Sequence, residues 1–410
     1  MEDRIYMKTI TGGVCAAKGF KAGGVHCGIR KSMTKRDLSM IVSEVPAHAA
    51  AVYTTNLVKG APIAVTKAHI ANGIAQAVIC NSGNANTCNA DGVEIAEKMC
   101  ALVEEATGIS ANDVVVASTG VIGQPLNIEP IAKAMPELKA SLSENGSSDA
   151  LEGIMTTDTV KKEIAIEFEL GGKTCHIGGI AKGSGMIHPN MATMLVFLTT
   201  DAAISAEMLK KALSSDIQDT FNMTSVDGDT STNDMVTILA NGLAGNAEIT
   251  EDDDSFKEFM KALNSINIYL CRSIAADGEG ATKMLECRVS GAKDKQTAKI
   301  AAKSVICSSL LKAAMFGADA NWGRVLCALG YSGADIDVTK VDVSFESAKG
   351  RVDVCKDGAG IPFSEEIAKE VLLEKEIDII ISVGDGEGAA TAWGCDLTYD
   401  YVKINGDYRT

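Results

Sequence analysis

The chain has 410 residues, 46% of them hydrophobic and 22% charged, an ordinary composition for a folded protein long enough for two domains. It holds no apolar run of about 18 residues and no charged-then-apolar leader at Met1, so neither a membrane span nor a secretory signal is read, and a cytoplasmic location is the expectation. A net charge of −16 argues against nucleic acid or an anionic membrane as partner; the twelve cysteines are scattered singly, without the spacing of a metal site, and read as small buried hydrophobes.

In chain order, alternating runs at Ala50–Thr55 and Ala61–Thr66 read as strands. A strand over Ala75–Cys80 ends in Asn81-Ser-Gly-Asn-Ala-Asn86, a loop of residues that tolerate left-handed backbone, and a helix begins near Asp91. The strand Asp113–Ala117 runs into Ser118-Thr119-Gly120-Val-Ile-Gly123. Such a small-residue turn is either a plain strand exit or a place where N–H groups meet developing negative charge, as acyl transfer requires. Pro125–Asn145 reads as helix followed by linker, and Met155-Thr156-Thr-Asp-Thr159 as a polar capping turn. Gly172-Lys-Thr is no phosphate loop, because position 167 is Glu where that motif needs glycine.

The segment Ala181-Lys182-Gly-Ser-Gly-Met-Ile-His188-Pro-Asn-Met-Ala192-Thr193 leads into the apolar run Met194–Leu198, a buried strand. Ordinary β propensity accounts for a threonine at that strand's first position. The alternative is N-terminal nucleophile chemistry. If the Thr193 hydroxyl attacks the Ala192 carbonyl, the peptide becomes an ester, and hydrolysis frees Thr193, whose α-amino group, with an ordinary pKa of about 7.7–8.0, then acts as general base.

Further on, Ser205–Asn222 reads as an amphipathic helix capped by Ser205. The acidic loop Ser225–Asp234 fails as a calcium loop, since Thr232 and Ile238 stand where glycine and glutamate are needed. Helices are expected over Asp253–Ala276, Gln296–Phe316 and Ser364–Glu374, and strands near Glu286–Ser290, Arg324–Leu329, Lys340–Phe345 and Ile377–Val383. Asp277-Gly-Glu-Gly-Ala281 is echoed at Asp385–Ala389. A loose dinucleotide pattern at Gly384–Ala390 is rejected, because too little chain follows for another βαβ unit.

His188-Pro-Asn-Met-Ala-Thr-Met-Leu195, together with Asn81–Asn86, Ser118–Gly123, Asn321-Trp-Gly-Arg324 and the closing stretch from Ala392, resembles the ornithine acetyltransferase family, the ArgJ-type glutamate N-acetyltransferases of arginine biosynthesis. The likeness covers nearly the whole chain. It implies a layered α/β sandwich of a self-cleaving enzyme, cut into an α chain of residues 1–192 and a β chain of residues 193–410, with two of each in a heterotetramer. It also implies ping-pong acetyl transfer from N-acetylornithine to glutamate through an acetyl ester of Thr193. Thr119 and Gly120 then match the oxyanion hole, and Thr156, Lys182, Thr193, Glu279, Asn405 and Thr410 the substrate contacts. Lys182 would pair with a substrate carboxylate and Glu279 with the ornithine amino group; from the residues alone, these read as a solvated lysine and an exposed turn carboxylate. No metal or cofactor is implied, and acetyl-CoA enters only as an optional second acetyl donor. Two other readings stay open: a related amidohydrolase or aminopeptidase that uses water as acceptor, and an uncleaved ligand-binding protein of the same fold.

Overall fold

A computed structural model describes residues 7–32, 34–188 and 194–407. Before residue 189 the chain contributes strands β1 (Met7–Ile10), β2 (Phe20–Val25), β3 (Leu38–Tyr53), β4 (Ile74–Asn81), β5 (Val114–Ser118), β6 (Lys162–Leu170) and β7 (Lys173–Lys182). With them come helices α1 (Ala61–His69), α2 (Gly92–Thr107), α3 (Ile128–Ser141) and α4 (Ser147–Ile154). After residue 193 come β8 (Leu195–Thr200), β9 (Thr224–Ser225), β10 (Met235–Ala240), β11 (Met284–Ala292), β12 (Asp342–Ser347), β13 (Gly350–Lys356), β14 (Ala359–Gly360), β15 (Glu376–Ser382) and β16 (Gly388–Cys395). The accompanying helices are α5 (Ala206–Asp216), α6 (Asp254–Ala276), α7 (Lys295–Cys307), α8 (Ser309–Phe316), α9 (Trp322–Gly330), α10 (Glu365–Leu372) and α11 (Tyr399–Asp407).

The strands form two mixed sheets. The first runs β1-β6-β7-β8-β10-β3-β4-β5, with β2 also paired to β3; the second runs β14-β13-β12-β15-β11-β16-β9. At the middle of the first, β8 and β10 are parallel, with Leu195 opposite Met235 and every residue of both buried. Strands covered on both faces take continuous apolar sequence, which is why LVFLTT and MVTILA lack polar alternation. The long helix α6 lies against β6 and β7 of the first sheet and β11 and β16 of the second. Its Phe259, Leu263, Ile266 and Leu270 share one core with Val196, Leu198 and Leu285. A second cluster joins α4 (Leu151, Ile154) to Ile180, Leu195 and Phe197, and a third joins α2 and α3 to Met40, Ile79 and Val116. The result is the layered α/β sandwich expected. Among the described residues, no helix is long and apolar enough to cross a membrane.

Several elements differ from the sequence reading. Ala61–Thr66 is the start of α1 and not a strand: Pro62 sits in its first turn, where the missing N–H costs nothing, and Ile63, Thr66 and Ile70 turn inward at helical spacing. Arg324–Leu329 is likewise helical; the Asn321 side chain accepts from Arg324 N at 3.2 Å, and Val325, Ala328 and Leu329 form one buried face. The expected helix Gln296–Phe316 breaks at Ser308, whose hydroxyl caps α8. The helix expected to reach Asn222 ends at Asp216, where the Thr220 hydroxyl folds back to donate to Asp216 O. A hairpin unread in the sequence, β6–β7, turns on Gly171 and Gly172, both at positive φ (55° and 75°), the backbone a two-residue type I′ turn demands.

Phe259 is fully buried and packs at a tilt against Phe168 of β6, ring centroids 6.3 Å apart. Phe259→Ala is expected to lower stability by about 3–5 kcal/mol, read as a shift of the urea midpoint.

Candidate active site

Six residues singled out in the sequence reach one cavity of about 140 Å³: Thr119, Gly120, Thr156, Lys182, Glu279 and Asn405. They come from five different places in the chain. Ala192, Thr193 and Thr410 lie outside the described residues. The described chain resumes at Met194, which itself lines the cavity.

The Thr119–Gly120 turn at the end of β5 is held by the loop that follows β4. Thr119 N donates to Asn81 O at 3.0 Å, so the hydroxyl is the remaining donor of Thr119. Ser118 Oγ donates to Asn81 Oδ1 (2.6 Å), and Asn81 Nδ2 to Asn84 O (3.0 Å). Gly120 has φ +128°, and a Cβ there would stand 2.6 Å from Asn84 N, so only glycine fits. The Asn81–Asn86 motif is therefore the frame of the turn. Asn233, passed over in the sequence as part of a failed calcium loop, adds a second brace: its Nδ2 donates to Ala85 O (2.6 Å) and Ser118 O (3.0 Å), and its Oδ1 accepts from Thr87 Oγ1 (2.5 Å).

On the opposite wall, Lys182 ends β7. It is nine-tenths buried and makes no salt bridge among the described residues, its charge reaching Asp158 below the cavity. Thr156 is anchored through its N–H to Asp158 Oδ2 (3.0 Å) and through its carbonyl to Arg30 (2.9 Å). Glu279, also nine-tenths buried, accepts from Asn405 Nδ2 at 2.8 Å. Gly185 leaves room for that carboxylate, since a Cβ would come within 2.5 Å of Glu279 Oε1.

Beneath these groups lies a buried ionic array. Lys162 Nζ donates to Asp158 Oδ1 (2.7 Å) and Asp277 Oδ2 (2.5 Å), and none of the three is more than 6% exposed. Burial would raise the Asp158 carboxyl, but Lys162, Lys182 and the Gly183 N–H outweigh it and hold the group far below the usual carboxylate range. Asp158 also accepts from Gly183 N (2.7 Å); Asp277 accepts from Thr159 N (3.0 Å) and from the Thr159 hydroxyl, and its own carbonyl accepts from Ser184 Oγ (2.7 Å).

The approach to position 189 is pinned as well. Met186 N and Ile187 N donate to the two oxygens of Asp227 (2.6 and 2.9 Å), and Thr230 Oγ1 donates to His188 O (2.8 Å). Met186 has φ +57°, uncommon for a residue with a side chain. Burial, assisted by Lys303, pushes the His188 imidazole down to about 4.

The family model for the ArgJ family matches residues 21–410. A curated relative from Caldanaerobacter subterraneus, named arginine biosynthesis bifunctional protein ArgJ, is 51% identical over 98% of this chain and 100% of its own length. One of the same name from Bacillus subtilis is 48% identical over 100% of this chain and 99% of its own. A crystal structure of arginine biosynthesis bifunctional protein ArgJ from Bacillus halodurans matches with 46% identity and a TM-score of 0.50; it covers 53% of this chain and 100% of the solved one.

This chain belongs to the ArgJ family.

Of the groups that shape the cavity in this ArgJ-family chain, the sequence reading missed Lys162, Asp158, Asp277, Asp227 and Asn233. One signal was present for Lys162. It stands in phase with Ile164, Ile166 and Phe168 on the inward face of β6, a position where a lysine must find partners. Gly120→Ala is expected to cost about 1–3 kcal/mol through strain at positive φ, visible as a lowered melting temperature independent of any effect on turnover.

Proposed function

We propose that the protein cuts itself between Ala192 and Thr193 and then moves an acetyl group from N-acetylornithine to glutamate by a ping-pong route, in the cytoplasm. The observation that carries this reading is the meeting of a buried cation, Lys182, a buried carboxylate, Glu279, and the Thr119–Gly120 turn in one cavity that the chain re-enters one residue after Thr193. An N-acetylated diamino acid presents a carboxylate, an ammonium and an acyl carbonyl. Lys182 takes the first, Glu279 the second, and the Thr119 hydroxyl with the Gly120 N–H takes the oxygen of the third as it becomes an oxyanion. Thr156, Asn405 and Thr410 complete the substrate contacts.

Thr193 Oγ1 attacks the acetyl carbonyl, and its proton passes to the Thr193 α-amine and on to the departing nitrogen of ornithine. The amine of glutamate then attacks the ester, N-acetylglutamate leaves, and the Thr193 oxygen regains a proton. Acetyl-CoA serves as the optional second donor, a reading that rests on the word bifunctional in the names of the relatives. Two features support cleavage into residues 1–192 and 193–410. Residues 193–410 make up about 53% of this chain, the same share that the whole solved relative covers. The strands flanking the cut are hydrogen-bonded neighbours, Ile177–Lys182 against Leu195–Thr200, so the two pieces stay joined after it. Two such pairs form the proposed heterotetramer. No observation favours a water-accepting hydrolase or an uncleaved binder.

Intact mass measurement is expected to find two pieces that meet at Ala192 and Thr193, and incubation with N-acetylornithine to add about 42 Da to the C-terminal piece alone. Thr193→Ala should remain one uncut chain without the adduct; cut protein or an adduct elsewhere would sink the assignment. The base must be unprotonated to act, so kcat/KM should fall about tenfold per pH unit below the α-amine pKa of roughly 8. His188, pushed down to about 4, stays neutral through that range and does not contribute the inflection.

A further inference from the structure

We propose that Lys162 is a positioning residue for acetyl transfer: with Asp158 and Asp277 it sets the spacing of the substrate-binding groups on the cavity wall opposite the Thr119–Gly120 turn. The inference rests on the proposed assignment of Thr156, Lys182 and Glu279 as substrate contacts.

The hydrogen bonds run without a break along that wall. Thr156 N donates to Asp158, and Asp158 also accepts from Gly183 N, the residue after Lys182. Lys162 joins Asp158 to Asp277, whose carbonyl holds the Ser184 hydroxyl; Ser184 O in turn accepts from Glu279 N at 3.0 Å, and the Glu279 side chain holds Asn405. Lys162 is not itself among the residues that line the cavity. It is 1% exposed and is the ammonium that both aspartates share, so without it two buried carboxylates would face each other across the joint. Relaxation of that repulsion moves Thr156 and Glu279 relative to Lys182. The Thr119–Gly120 turn hangs from Asn81, Asn84 and Asn233 and has no part in the array. Selective damage is the consequence: groups that hold the amino-acid part of the substrate shift, while the groups that act on the acetyl carbonyl stay.

The test compares two acetyl donors on the cleaved enzyme. N-acetylornithine needs the carboxylate and ammonium contacts; p-nitrophenyl acetate has neither group and needs only the nucleophile and the oxyanion donors. In Lys162→Met, kcat/KM for N-acetylornithine is expected to fall about 100-fold or more, as displacements near 1 Å do in preorganised sites. Acylation by p-nitrophenyl acetate should stay within about threefold of the parent. Asp277→Asn, which keeps the shape and loses one charge, should show the same split to a smaller degree, and it decides the matter if Lys162→Met does not fold. Equal losses with both donors, or unchanged kinetics with N-acetylornithine, would overturn the proposal. Should the parent turn over N-acetylornithine yet carry no acetyl group on Thr193, the nucleophile assignment fails, while the comparison of the two donors still reads the role of Lys162.

Discussion

The structure depends most on one buried contact, the ammonium of Lys162 between the carboxylates of Asp158 and Asp277. Burying three charges is expensive, and removal of one partner from such a set typically costs about 3–5 kcal/mol. The expense is offset here because nearly every lone pair is used. Asp158 accepts from two backbone N–H groups besides the lysine, and Asp277 accepts from Thr159 and Val160. An apolar core of the same volume could match its stability but would fix no directions. The array instead brings three chain segments to defined positions: 155–160 after α4, 183–185 after β7, and the turn at 277–279 after α6. Each of those segments carries, or is next to, a residue that lines the cavity.

The fold was legible in the sequence where burial and period agree. The helix over Asp253–Ala276 was found to within a residue, because its apolar spacing is sustained for six turns and Asp253 caps it. The strand at Ala75–Cys80 was found because it is short, apolar and closed by a polar turn. Reading failed where β-branched residues sit in helices. Ala61–Thr66 and Arg324–Leu329 hold Ile, Val and Leu in short segments that fit either period, and the deciding features were Pro62 and Asn321. The β6–β7 hairpin was readable in principle, since two alternating runs separated by Gly171-Gly172 have few other solutions.

For the site, the words of the sequence pointed to residues without saying what holds them. Thr119 and Gly120 were singled out, but their support by Asn233 depends on a contact between segments more than 100 residues apart. Asp158 was hidden in a polar turn that any helix end could own, and Asp277 in a turn with an echo elsewhere in the chain. The echo has no structural equivalent: 385–389 joins β15 to β16 on the surface of the second sheet, whereas 277–281 joins α6 to β11 beside the cavity. Side-chain partners at long range carry no local signature. Lys162 is the exception, because a charge in phase with an apolar face announces that a partner must exist even when it does not say which.

The place of the proposed cut follows from the same geometry. Thr119, Gly120, Thr156 and Lys182 precede it; Glu279 and Asn405 follow it. The array also straddles it, with Asp158 and Lys162 on one side and Asp277 on the other, and so does Asn233, which binds Ala85, Thr87 and Ser118. A free C-terminal piece would lack the Thr119–Gly120 turn and would leave Asp277 without its cation. A free N-terminal piece would hold Lys162 against one carboxylate and lose the β8 neighbour of β7. Each piece is thus incomplete in both core and site, and cleavage after folding loses little because the interface it creates is already closed. The proposed cut falls between two strands that are adjacent in the sheet, and six residue pairs on β7 and β8 keep their register whether or not the peptide bond is intact. The sheet, and not that bond, carries the position of β8, the first strand of the second piece.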